Sequence, residues 1–478
     1  MGDIKAKIVG KIIIKATVTN TGNFLVGSGK GDTYDFELIK QNGRIYIPAS
    51  GFIGMLKKHF DKRVNLKIIN SKDTKRTSEL FEKQAEYFWG SDKSKQSNTS
   101  QSHIIIDDLE CNVKPIVMVR DGVAIDTKKG IGIPGHKYDY EFIEKDAEFN
   151  LYMEITLRQG FCDDIFLQFV KFIIVEGSTS GNYRQGAFSS HDFGNLIWKG
   201  VPEVHLIKFN SGNAENSQKW FDYLKSENGK IDNPAKLPDI FEFKVEKLKS
   251  VCITGIFSIK NTLMIGASDD SLLQNNLDKT HIKDSKGTPL ITSKSIRGPV
   301  RHRALKILNT IGNKNATQII DGLFGIVDEI NNNKKKGKII FREVSIDKDK
   351  IDTKQIQPRI KIDRFTGGTM KTALLSTQPL WHKEEEITLN FEIEKYSNDE
   401  IAIMLLVMKD LMNEDLPIGG EKAIGRGVLT GTKLTIRKDE KNYFERDVLE
   451  DGTIKIVDKG EFTKAKIESM IKDLNKIN

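Results

Sequence analysis

Two stretches rich in β-branched residues, Lys11–Thr19 and Val251–Ile259, predict β-strands. The same order of features follows each one. A glycine-rich loop comes first, Gly27–Gly31 in the front half and Gly266–Asp270 in the back. Next stands a short mixed segment, Asp35-Phe-Glu-Leu-Ile-Lys40 or Asp278-Lys-Thr-His-Ile-Lys283. Then Ile47-Pro-Ala-Ser-Gly-Phe-Ile-Gly54 and Ile291-Thr-Ser-Lys-Ser-Ile-Arg-Gly298 each lead into a predicted helix. Phe52, Met55, Leu56, His59 and Phe60 fall on one helical face, as do Ile296, Val300, Ala304, Ile307 and Leu308. Stripes of this kind are core and need no other role.

Three more landmarks recur in order. An aromatic-glycine step precedes a strand at Tyr87-Phe-Trp-Gly90 and at Gly322-Leu-Phe-Gly325. Val123-Ala-Ile-Asp126 before Gly130 is matched by Ile360-Lys-Ile-Asp363 before Gly367 and Gly368. A glycine-rich turn comes late in each half, Gly186–Gly194 and Gly419–Gly427. Asp35 and Asp278 lie 243 residues apart, and Gly54 and Gly298 lie 244 apart. Ordered matches at near-constant spacing indicate an internal duplication. The expected organisation is a first domain over 1–204, a linker over 205–249, a second domain over 250–436 and an extension over 437–478. The extension predicts a hairpin through Asp451-Gly452 and an amphipathic helix from Lys464. Mixed strands and helices in each half give an α+β fold class.

Composition narrows the function classes. The 478 residues carry 74 Lys and Arg against 66 Asp and Glu, a net charge of +8 that permits a polyanionic partner without demanding one. Cys111, Cys162 and Cys252 form no C-x-x-C pair, so a disulfide framework and a cysteine zinc site are not indicated. No apolar run reaches the length of a membrane span, and the first residues are charged, so a cytoplasmic protein without membrane contact is expected. Gly27-Ser-Gly-Lys-Gly31 looks like a phosphate-binding P-loop. It lacks the first glycine and the Ser or Thr after the lysine, and no helix follows at once.

Strand, glycine-rich loop, lone aspartate, then I-P-G-S-S-x-[KR]-G-x-[LI]-R into a helix is the pattern of the RAMP superfamily. The chain resembles it twice, with Ile47–Gly54 similar to the first copy of the helix-opening element and Ile291–Gly298 to the second. The resemblance points to the backbone subunits of the Csm and Cmr type III CRISPR effector complexes, in a tandem two-copy form. Ile362-Asp-Arg-Phe-Thr-Gly-Gly368 resembles the segment beside the family's protruding thumb, and Gly419–Gly427 its C-terminal glycine-rich loop. The resemblance implies two ferredoxin-like (RRM-like) domains in tandem with thumb insertions. It implies as partners a CRISPR guide RNA, a target single-stranded RNA and other effector subunits. It also implies target RNA cleavage by a loop aspartate with a divalent metal, Mg²⁺ by expectation. The front copy departs from the pattern: His191-Asp-Phe-Gly194 stands where Arg-Gly is expected, and Asp126 is followed by Thr127-Lys-Lys.

Asp35 and Asp278 are the catalytic and metal-binding candidates, because both stand five residues before a lysine in matching frames. An aspartate on a loop can hold a hard cation through oxygen, or it can cap a turn. The shared frame selects Asp35 and Asp278 over Asp32, Asp269 and Asp270, of which Asp32 and Asp270 are the substitutes. For RNA binding, Gly419, Gly420, Lys422 and Arg426 offer backbone amides and charge to phosphate. Lys294, Arg297 and Arg301 lie at the start of a helix, where phosphate is favoured. Ser50, Lys57 and Lys58 are their front counterparts, and Asp126, Asp363 and Arg364 belong to the thumbs. The thumbs, Val113–Asp126 and Ile351–Thr369, are expected to project as irregular hairpins. The leading expectation is a backbone subunit that binds guide RNA and cuts target RNA at two sites. The alternatives are a scaffold subunit that cuts nothing and a guide-processing endonuclease using a loop histidine, His191 or His281.

Overall fold

The computed structural model describes residues 8–68, 85–90, 101–126, 132–159, 169–173, 183–208, 218, 221, 225, 241–245, 249–267, 277–328, 333–438, 441–449, 453–458 and 461–476. The chain forms two compact units. One comprises Met1–Val117, Glu141–Ser189 and Phe193–Lys247; the other comprises Met118–Tyr140, Ser190–Asp192 and Leu248–Asn478.

In the first unit, strand Ile8–Asn20 is central. It pairs antiparallel with Glu148–Arg158 on one side and with Asn195–Trp198 and Glu203–Lys208 on the other. Ile104–Ile106 closes the far edge beside Glu148–Arg158. In order of appearance along the chain these strands lie fourth, first, third, second across the sheet, which is the ferredoxin-like arrangement. Helix Ala49–Arg63 follows the first strand, and Phe52, Leu56 and Phe60 on its apolar stripe are buried. Phe60 meets Trp89, Phe169 and Phe172 with ring centroids 5.1–5.6 Å apart. The aromatic-glycine step thus supplies core: Phe88 and Trp89 fill the space beneath the helix. Truncating Phe60 to Ala would cost about 3–5 kcal/mol.

The second unit repeats the plan. Ser250–Ile259 alternates half-buried and buried positions and lies between Ile387–Glu394 and Leu429–Lys438, with Ile339–Phe341 at one edge. Helix Ser293–Thr310 buries Ile296, Val300, Ala304 and Leu308, while helix Asn398–Met412 opens on a capping box between Ser397 and Glu400. Phe324, from the second aromatic-glycine step, stacks on Phe341 at 6.0 Å. The predicted extension hairpin is present as Lys441–Val448 against Ile454–Asp458, and helix Lys464–Lys476 begins where expected. Both strands continue the second sheet beyond Leu429–Lys438. The turn itself, Asp451-Gly452, lies outside the described residues.

Two stretches differ from the expected organisation. The boundary at 204 falls inside strand Glu203–Lys208, whose Val204 and Leu206 stand opposite Ile14 and Ile12. Within the expected linker, Phe241–Val245 pairs with Val64–Ile68. The front thumb is a two-stranded arm, Val117–Ile125 and Gly132–Ile143, longer and more regular than the expected segment. Its residues 118–140 belong to the second unit. The back thumb is the hairpin Gln357–Ile362 with Thr369–Gln378, solvent-exposed along most of its length. It overlaps the expected Ile351–Thr369 only in its outgoing half, since Ile351 is buried in the core and the returning strand runs on to Gln378.

Candidate RNA interface and loop aspartates

In the back copy, Asp278 sits at the root of the thumb. Its exposed carboxylate accepts a 2.6 Å hydrogen bond from the Ser376 amide, and its own amide donates to the Ser376 carbonyl at 2.9 Å. Lys279 and Thr280 continue this as a short parallel pairing with Thr377 and Gln378. Lys279 then reaches Glu421 of the glycine-rich turn at 3.2 Å. Glu421 also receives Arg359, from the outgoing thumb strand, at 2.7 Å. Arg426 lies 3.0 Å from the same carboxylate. These bonds hold Glu421 below the usual carboxylate range against the opposing effect of burial.

Asp35 lies on an exposed loop of the front copy. Two residues on, Glu37 accepts the amides of Thr33 at 2.7 Å and Tyr34 at 3.1 Å, which fixes the loop ahead of the aspartate. Those backbone bonds lower the Glu37 pKa. Lys40, the frame lysine, is paired with Glu141 at 2.8 Å. Asp32 is exposed on the same loop, whereas Asp269 and Asp270 lie outside the described residues.

The two glycine-rich turns share their backbone geometry. In each, the third residue of the turn is followed by a short 3₁₀ turn, Ser189–His191 or Lys422–Ile424. Gly186 and Gly419 have φ of 88° and 78°, and Gly194 and Gly427 of 82° and 79°. Gly194 donates to the Asn23 carbonyl and Gly427 to the Thr262 carbonyl, both at 2.8 Å. A Cβ on Gly427 would lie 1.8 Å from the Ile418 carbonyl oxygen, and on Gly194 2.0 Å from that of Gln185. The front turn therefore keeps the fold of the back one despite its different sequence.

The nominated basic residues are placed unequally. Lys422 and Gly420 are exposed on the turn, while Arg426 is 2% exposed and contacts Gln357 and Thr377 as well as Glu421. The helix-start run is engaged within the second unit. Lys294 lies 3.7 Å from the centre of the Tyr140 ring and donates to the Tyr138 hydroxyl at 3.1 Å. Burial and the charge of Arg120 lower its pKa to about 7. Arg297 donates to the Phe324 carbonyl and lies over that ring, and Arg301 is 3.8 Å from Asp321. In the front copy, Ser50 and Lys58 are exposed, and Lys57 donates to the Gly90 carbonyl at 3.3 Å.

Asp126 is half-buried at the end of the described front arm. Asp363 caps the back thumb tip, accepting the amides of Phe365 at 2.8 Å and Thr366 at 2.9 Å. Arg364 is exposed beside it. Phe365 is 100% exposed, with Ile362 and Ile360 also exposed along the outgoing strand. Phe365 stands at the variable position of the thumb segment Ile362–Gly368, so the motif did not single it out. The Asp-x-x-Thr-Gly-Gly turn that presents it was the available signal.

A sequence model of the RAMP superfamily matches residues 17–190 and again 257–430, well over half of the chain. The chain belongs to the RAMP superfamily. Comparison with curated proteins gave no match. Membership carries a CRISPR-associated RNA-binding role, with two RAMP regions in tandem. Among the described residues, no helix of this RAMP protein is long and apolar enough to cross a membrane.

Among the described residues, no group of three His, Cys, Asp or Glu side chains forms a metal cage. Asp35 and Asp278 each present one exposed carboxylate. Mg²⁺ commonly takes one or two carboxylates and completes its octahedron with water and substrate phosphate. The RAMP loops fit a metal shared with RNA, and they do not fit one enclosed by protein alone.

Proposed function

We propose that this RAMP protein is a tandem backbone subunit of a type III CRISPR effector complex. In this reading it binds guide RNA along its glycine-rich turns and cuts complementary target RNA at loops bearing Asp35 and Asp278. The observation that carries the reading is the reciprocal bonding of Asp278 with Ser376, which sets a carboxylate at the root of an exposed thumb. A thumb that parts the guide–target duplex would expose the phosphate next to that carboxylate. A bound divalent metal would polarise that phosphate and stabilise charge on it. The protein's own contribution is to hold the carboxylate, grip the backbone through amides and lysines, and separate the strands with the apolar thumb tip. The chain works in this reading with target RNA, other effector subunits and Mg²⁺.

The test is a complex assembled with guide and complementary target. Asp35→Ala should erase one product band, Asp278→Ala another, and the double variant both, with binding intact. Full wild-type cutting by each single variant would overturn the assignment. A second reading, a scaffold that cuts nothing, is favoured by the lack of a three-ligand cluster among the described residues. It predicts no bands from the wild type at any metal concentration. Guide processing by a loop histidine is disfavoured. His281 is buried, its ring bonded to the Ile265 amide and the Leu290 carbonyl, with its pKa lowered to about 4. His191 is lowered to about 3 by burial and by the charges of Arg297 and Lys294. Neither suits proton transfer near neutral pH.

A further inference from the structure

The two glycine-rich turns share a backbone, yet different chemistry sits on them. The third residue of each turn is a bulky non-glycine in the left-handed region, Phe188 at φ 56° and Glu421 at φ 57°. That conformation costs energy for such residues and persists where the surroundings enforce it. In both copies the side chain it presents meets the residue directly after the loop aspartate. Phe188 meets Phe36 edge-on at 6.0 Å, and Glu421 accepts from Lys279 at 3.2 Å. In both copies it also meets the eighth residue of the turn. Phe188 lies 5.8 Å from the buried Phe193, and Glu421 lies 3.0 Å from the buried Arg426. Three corresponding positions are thus Phe, Phe, Phe in the front copy and Lys, Glu, Arg in the back.

We propose that these are equivalent clamps that seat the aspartate-bearing loops on the glycine-rich turns, one by aromatic packing and the other by an ion cluster. Phe188 and Glu421 are then positioning residues, and the seating of the back loop alone responds to ionic strength. The inference deepens the proposed function, since it matters to cutting only if those aspartates cut. The clamps themselves exist without RNA.

The physics separates the two. Edge-on aromatic contacts depend on buried area and ring quadrupoles, which salt barely touches. The ion cluster has a weak member. Arg426 is enclosed, whereas the Lys279 side chain is about half exposed, at 49%. Screening acts on exposed charges as the Debye length falls from about 10 Å at 0.1 M salt to about 3 Å at 1 M. Salt should therefore release Lys279, and with it the loop after Asp278, while Arg426 and the turn stay in place.

The experiment is hydrogen exchange on the full chain without RNA, at about 0.1 M and about 1 M potassium chloride. Amides over 278–283 should exchange roughly two- to fivefold faster at high salt, the range an exposed ion pair supports. Amides over 35–37, which precede the segment tied to Glu141 by Leu38 and Lys40, should not change. Glu421→Gln should give the fast rate at low salt and lose the salt dependence, and Lys279→Met should do the same without touching the buried arginine. Equal salt responses of the two loops would overturn the proposal, as would unchanged protection over 278–283 in both variants. In an assembled complex, Glu421→Gln should weaken only the product band that depends on Asp278. If the aspartates cut nothing, the exchange result still stands or falls alone.

Discussion

Asp278 and Ser376 are hydrogen-bonded in both directions, side chain to amide at 2.6 Å and amide to carbonyl at 2.9 Å. The first bond makes the carboxylate an acceptor that steadies the returning thumb strand, so charge and structure can be separated by substitution. Asp278→Asn keeps an acceptor oxygen and should abolish the Asp278-dependent cut while leaving the amides of 369–378 protected. Asp278→Ala should also expose the Ser376 amide, at a local cost of about 1–2 kcal/mol. Hydrogen exchange and product analysis on the two variants check this.

The thumb tip offers a second test. Phe365 is fully exposed above a turn tied down by Asp363. Base stacking on an aromatic contributes about 1–3 kcal/mol per base. Phe365→Ala should therefore weaken target binding by about five- to 150-fold, on the scale of about 1.4 kcal/mol per decade, and should leave the melting temperature unchanged. Fluorescence anisotropy with guide-loaded protein measures it. An unaltered affinity would remove the tip from the interface.

The glycine-rich turns separate two kinds of glycine. Gly427 and Gly194 are closed in by carbonyl oxygens at 1.8 and 2.0 Å from a built Cβ. Substituting Ala at either should destabilise its unit by on the order of 3 kcal/mol, through clash and strain together. Gly425 has a φ of 81° but nothing within 4 Å of a built Cβ, and the front copy holds Asp192 at φ 64° in the corresponding place. Gly425→Asn should cost only about 1 kcal/mol or less, because Asn tolerates the left-handed region. Urea denaturation midpoints distinguish the cases.

Lys294 gives a pH dependence. Its pKa falls from 10.5 to about 7, chiefly through burial and secondarily through Arg120, while the tyrosine faces favour the charged form. Between about pH 7 and 10.5 the unfolded chain holds this proton and the folded chain does not. Stability of the second unit should therefore rise with pH through that window. Lys294→Met should flatten the rise, because an apolar chain of similar length has no proton to lose. Melting temperatures of both proteins from pH 7 to 9.5 would show it, and parallel curves would refute it.

Local pattern carried much of this protein's architecture. Alternation along Val251–Ile259, the helical stripe through Phe52, Leu56 and Phe60, and glycines at fixed offsets depend on residues close in sequence. Duplication then doubled each weak cue, which made the two domains, the back thumb and the extension hairpin legible. The loop aspartates were legible by frame alone. What lay beyond reach were partners supplied by topology. Lys294 and Arg297 read as a phosphate-binding run, because a lysine or arginine on a helix has the same spelling whether it faces water or tyrosine. Tyr138 lies 156 residues from Lys294, and no periodicity links them. Arg426, nominated for RNA, is enclosed against Gln357 and Thr377, and the exposed charge on that turn is Lys422. The replacement of Lys279, Glu421 and Arg426 by Phe36, Phe188 and Phe193 was present in the sequence as three unrelated differences. Only the folded turn, by bringing its third and eighth residues against the loop, made them one contact, because side-chain meeting is decided by where the backbone passes and not by distance along the chain.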